Sequence, residues 1–163
     1  MVGSPIRSLQ DFAPLIQLAC ITDEWSQALS VVREHRLGRV FVAPLDIVIR
    51  RDPLRTRQPD LMFISKARRD VIGLQVIDGG PDLVIAVLSP TNTRLDLQEK
   101  VQIYQTIGVR DAWIVSPQAQ TVEVFQLPAE GIQRSGLYGR GHLIVSQVLP
   151  KLQPEIDELF PAL

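Results

Sequence analysis

Two side chains stand out from an otherwise ordinary apolar framework. Asp60 follows Pro59 and opens the run Leu61-Met62-Phe63-Ile64, and Lys100 sits midway along a helical stretch. An ionised carboxylate at the mouth of a strand is a pure acceptor, and a lysine facing it is a pure donor on a long stem. Each also has an ordinary explanation. A Pro-Asp pair is commonly turn chemistry, and Lys100 lies four residues after Asp96, the spacing of an exposed helical ion pair. A third feature is the arginine cluster Arg50, Arg51, Arg55 and Arg57 directly ahead of Asp60. Such a cluster can steer a phosphate backbone. A formal net charge of −1 favours instead a solvated loop partly balanced by Asp52.

The elements that must position these groups are legible around residues 81–117. Leu83 to Leu88 is a continuous apolar run bounded by Asp78-Gly79-Gly80-Pro81 and Ser89-Pro90, which predicts a central strand buried on both faces. Thr93-x-x-Asp96 fits a capping box. Leu97, Val101, Ile103, Tyr104 and Ile107 then supply an apolar stripe, and Gly108 a stop. Ala112-Trp113-Ile114-Val115 reads as the next strand, so the stretch predicts a parallel strand–helix–strand crossover. A strand climbs about 3.3 Å per residue, placing position 86 roughly 7 Å below Leu88. The returning helix descends about 1.5 Å per residue, placing Lys100 roughly 10 Å below its start. Lys100 and position 86 are therefore expected at similar depth on neighbouring elements.

Residues 1–22 show no clear period and form a poorly defined N-terminal segment; residues 23–163 are expected to form one domain. The spacing of Trp25, Ala28, Leu29 and Val32 predicts a helix from Asp23 to about Arg36. Arg39 to Ala43 and Asp46 to Ile49 read as strands split by Pro44, Arg50 to Pro59 as a polar loop, and Leu61 to Ile64 as a short buried strand. Lys66 to Asp70 reads as a solvated connection. Thr121 to Leu127 alternates as an antiparallel strand should. Gly131 to Gly141 reads as loop, His142 to Val148 as a last strand, and residues 154–160 as a closing helical turn.

Composition bounds the chemistry. With 163 residues and 45% hydrophobic content, the chain can bury a core of ordinary size. Its single cysteine, Cys20, excludes an internal disulfide and a cysteine-based zinc site. His35 and His142 have no metal-ligand spacing and support no Ser-His-Asp triad. The apolar run Phe12 to Ile21 is broken by Pro14 and too short to span a bilayer. Leu18-Ala19-Cys20 is a weak likeness of a lipoprotein cleavage site, with Gln17 where an apolar residue is expected. No membrane association is therefore expected and a cytoplasmic setting is the default, with a homo-oligomer left open.

A resemblance takes these residues further. Gly79-Gly80-Pro81-Asp82-Leu83-Val84-Ile85 leading into Val87-Leu88-Ser89-Pro90 resembles the Uma-two (Uma2) family of restriction-endonuclease-like proteins. The likeness continues through Asp96-Leu97-Gln98-Glu99-Lys100, Tyr104, Gly108-Val109 and Trp113 to Pro117, and takes in Leu37 to Pro44 and Gln58 to Leu61. It spans about residues 30 to 160. It implies membership of the PD-(D/E)xK nuclease superfamily: an α/β fold with a restriction-endonuclease-like mixed β-sheet flanked by helices, and a phosphodiesterase site that uses Mg²⁺ or Mn²⁺ to cut DNA. Asp60 matches the metal-binding aspartate, and Lys100 the catalytic lysine carried on the helix instead of at position 88. The remaining motif acid falls at position 86, which is Ala86 here. A second departure lies at the start, because residues 1–22 lack the family's segment resembling Y-E-L-I-D-G-E-L. The resemblance thus implies a nuclease ancestry with reduced or lost catalysis. The alternative is a non-catalytic module that binds nucleic acid or protein.

Overall fold

The computed structural model describes residues 36–150 and 153–160. The N-terminal segment expected over residues 1–22 and nearly all of the helix expected from Asp23 lie outside the described residues.

The strands are β1 (Gly38–Val42), β2 (Asp46–Arg51), β3 (Leu54–Arg57), β4 (Leu61–Ser65), β5 (Val76–Ile77), β6 (Leu83–Val87), β7 (Asp111–Ser116), β8 (Thr121–Gln126) and β9 (Gln133–Tyr138). The helices are α1 (Arg94–Thr106) and the short α2 (Ile156–Leu159), with a 3-10 segment over Lys66–Val71. Six strands form one mixed sheet in the order β1-β4-β6-β7-β8-β9. Only β6 and β7 run parallel within it, joined by α1 as the crossover predicts. A smaller sheet, β3-β2-β5, stands apart.

Alternation along the central strands divides the core into two layers. Leu61, Phe63, Leu83, Ile85, Trp113 and Val115 face one side, where Ile144, Leu149, Ile156, Leu159 and Phe160 cover them. Met62, Ile64, Val84, Ala86, Ala112 and Ile114 face the other, under Val101 and Tyr104 of α1 and Ile47 and Ile77 of the small sheet. Burying both faces is why β6 and β7 read as unbroken apolar runs. Trp113 and Tyr104 are core residues, 0% and 1% exposed.

The capping box forms as its spacing predicts. Thr93 Oγ1 accepts from the Asp96 amide at 3.1 Å, and Asp96 accepts from the Thr93 amide at 2.8 Å. Hydrogen bonds to the Asp96 carboxyl from the Thr93 amide, and then from the Thr93 side chain, hold it below its ordinary value. Gly108 ends the helix region at φ 84°, where a side chain would be strained.

Four local expectations are corrected. Arg50 to Pro59 is not a loop: β2 runs to Arg51 and pairs with β3 in a hairpin, Arg50 opposite Arg55 and Arg51 opposite Leu54. The polar composition hid a pairing decided by the neighbouring strand. Gly131 to Gly141 contains β9, a mostly exposed edge strand that pairs with β8 through a bulge. Conversely, His142 to Val148 forms no strand and makes one bridge, Leu143 to Glu155. Buried Asp111 anchors that segment, accepting from Ser146 Oγ at 2.9 Å and Gln147 Nε2 at 2.8 Å. The connection after β4 is not merely solvated either. Arg68 donates to the carbonyls of Gly80 at 3.0 Å and Gly108 at 2.6 Å, and its Nε lies 3.7 Å from buried Asp82.

Candidate functional site

Asp60 directly precedes β4 and shares the side of Met62 and Ile64, the side on which α1 packs. Its backbone carbonyl accepts from the Ala43 amide at 2.9 Å, and its own amide donates to the Ile85 carbonyl at 3.1 Å. One carboxylate oxygen accepts from the Val87 amide at 2.7 Å. Asp60 therefore straddles Ala86, bonded to the residues on either side of it. At this point the β4–β6 ladder would have run out, and the side chain supplies its last acceptor.

The electrostatics follow from this position. Desolvation pushes the Asp60 carboxyl above its ordinary value, opposed by the Val87 amide and then by the charge of Lys100. Lys100 is thus close enough to act on Asp60, and it is half-buried rather than fully solvated. Asp60 and Lys100 lie on the α1 face near Ala86, close enough for the Lys100 charge to act on the carboxyl but outside ion-pair distance. Lys100 also acts weakly on the Asp96 carboxylate, without closing the ordinary helical ion pair. Tyr104, one turn further along α1, completes the wall. Burial and the Asp60 charge raise its phenol, which stays neutral at physiological pH, while Arg57 opposes that shift. Arg57 belongs to the arginine cluster visible in the sequence, whereas Tyr104 is not distinguished there from the rest of the core stripe.

Ala86 is 2% exposed, packed with Val101 and Tyr104 and paired with Ile114 of β7. It projects to the face that holds Asp60 and Lys100, so an acid here would enter the same site. No other acid replaces it among the described residues. Asp82 is occupied at the opposite end of β6, accepting from the Ser65 amide at 2.6 Å between Arg68 and Arg110. Asp96 caps α1, and Glu99 lies 3.8 Å from Arg55. Among the described residues no three His, Cys, Asp or Glu side chains cluster to hold a metal ion. Mg²⁺ usually takes one or two carboxylates together with waters and substrate phosphate. A single desolvated carboxylate, half committed to Val87 and close to a lysine, fits that ion poorly.

The structure separates the candidate arginines. Arg51 is held by Asp78 at 2.6 Å. Arg55 reaches Glu99 on α1, beside Lys100, and Arg57 lies toward Tyr104. Arg50 stands opposite Arg55 on the hairpin. No helix among the described residues is long and apolar enough to cross a membrane.

Residues 17–158 match the model of the Uma2 family, described as "Putative restriction endonuclease". Among solved structures, the chain is similar to one described as "a putative nuclease belonging to DUF820 from Anabaena variabilis ATCC 29413". The two share 21% identity with a TM-score of 0.71, over 98% of this chain and 84% of the other. That likeness shows a shared nuclease-like α/β fold. No curated protein matches.

Proposed function

Starting from the fact that the chain belongs to the Uma2 family, whose model it matches over residues 17–158, we propose that it binds nucleic acid with hydrolysis reduced or absent. The observation that carries this is Ala86, a buried methyl group in the position from which a second carboxylate would join Asp60. In an intact site of the PD-(D/E)xK kind, bound Mg²⁺ or Mn²⁺ orients the phosphate and lowers the pKa of the attacking water. The described donor set falls short of holding that ion. What this chain retains is Lys100, whose ammonium can lie against a phosphate oxygen, beside the hairpin arginines. Asp60 orders the end of β6 and keeps the half-site that a second acid would complete.

Plasmid cleavage with Mn²⁺, compared between wild type and Ala86→Glu, tests this. The wild type is expected to be weak or silent, and the substitution to restore measurable nicking provided the variant still unfolds cooperatively. Strong wild-type cleavage abolished by Asp60→Asn would overturn the loss of catalysis. If neither protein cuts or retains DNA on a filter, a protein-binding module becomes the better account. A cytoplasmic DNA partner is part of the same proposal.

A further inference from the structure

The β2–β3 hairpin contains a feature that folding alone does not favour. Arg50 and Arg55 face each other across the two strands. Like charges directly opposite on a strand pair are destabilising. Glu99 offsets only part of this, because it meets Arg55 at 3.8 Å with both side chains largely exposed. Exposed pairs of this kind are weak. Among the described residues no acid lies within ion-pair distance of Arg50. Arg57 follows Arg55 by two residues, on the same side of β3 and about 7 Å along it. It lies toward Tyr104 and the Asp60 site. Arg51, by contrast, has a close partner in Asp78 and drops out of the row.

Resting on the nucleic-acid-binding role above, we propose that the hairpin arginines Arg50, Arg55 and Arg57 form a phosphate track leading a nucleic-acid backbone from the hairpin tip to Lys100. The row begins beside the exposed turn Asp52-Pro53 and ends at the mouth of β4, so a strand lying along it reaches Asp60 and Lys100 without crossing the core. A phosphate between Arg50 and Arg55 removes their repulsion, and the weak Glu99 contact is readily exchanged for it. A two-stranded β-ribbon also fits the major groove of duplex DNA, which makes the duplex the expected ligand.

Binding of a 20-base-pair duplex and of a single strand of the same sequence is measured by fluorescence anisotropy from 50 to 200 mM salt. Wild type is compared with Arg50→Gln/Arg55→Gln and with Arg50→Lys/Arg55→Lys. Each phosphate contact contributes about −0.9 to the slope of log K against log salt. Losing two should flatten the duplex slope by about 1.8, so that the fourfold change in salt costs the Gln variant roughly tenfold less affinity than it costs wild type. The Lys variant should keep the wild-type slope, and the free Gln variant should melt no lower than wild type. A flattened slope with single-stranded DNA alone keeps the track and makes the single strand its ligand. Wild-type binding with an unchanged slope in the Gln variant overturns the track alone, as does a Lys variant that loses as much as the Gln variant. Absence of any salt-dependent binding by the wild type overturns the nucleic-acid role itself.

Discussion

Substituting Asp60 two ways separates its structural bond from its charge. The carboxylate accepts from the Val87 amide at 2.7 Å, and that amide has passed the end of the β4–β6 pairing. Asp60→Ala leaves the donor without its partner in a partly buried place, which costs about 1–2 kcal/mol. Asp60→Asn keeps an acceptor oxygen and removes a charge that burial disfavours, so it should be neutral or stabilising by up to about 1 kcal/mol. Both variants lose the charge, so they should differ by the Val87 bond alone, about 1–2 kcal/mol. In a domain of this size that is roughly 2–8 °C in Tm. The dependence on pH has a definite sign. Burial raises the folded Asp60 carboxyl above 3.8, so the folded state binds the proton more readily and wild-type stability rises as pH falls through the folded value. The advantage of Asp60→Asn is thus greatest at neutral pH and is gone below about pH 3.8. Calorimetric unfolding across that range reads both effects. If the Asn and Ala variants melt together, the Val87 bond is not what holds the strand end. If Asp60→Asn melts well below wild type at pH 7, the carboxylate is not under a desolvation penalty.

Lys100→Met should raise the Asp60 carboxyl further, because Lys100 lowers it now; a carboxyl-carbon NMR titration that does not move would refute their proximity. Arg68→Ala should cost about 2–3 kcal/mol in denaturant unfolding, since it frees the Gly80 and Gly108 carbonyls and leaves Asp82 with one fewer cation. Arg68→Lys should recover less than half of that, because an ammonium cannot reproduce the guanidinium's planar fork. Ser146→Ala should cost about 2 kcal/mol by thermal unfolding. It removes a donor from buried Asp111 and the acceptor used by the Val148 and Leu149 amides.

Most of what the sequence determined about this protein is local. Thr93 and Asp96 are three residues apart, and the box they form needs only the first turn of a helix. The apolar run at 83–88 announces a strand buried on both faces, and the missing acid is visible in it as Ala86. Even the nearness of Lys100 to the site follows from two rises per residue along a single crossover unit. Asp46 to Ile49 is legible as a strand, but its continuation through the hairpin at residues 50–57 and the edge strand β9 are hidden, because arginines, a glutamine and a glycine stand where strands usually show apolar alternation. Their pairing depends on partners elsewhere in the chain.

The tertiary structure alone decided what Asp60 does. Its carboxylate serves as a ladder acceptor for Val87, 27 residues away, through the antiparallel register of β4 against β6. That register also sets Asp60 astride Ala86 and on the face of Lys100, and it separates Arg51, held by Asp78, from the row of Arg50, Arg55 and Arg57. Residue types and spacing name the groups available for chemistry. Which oxygen is already occupied, and which charge remains unpaired, depends on long-range register, because a shift of one residue turns every side chain to the other face.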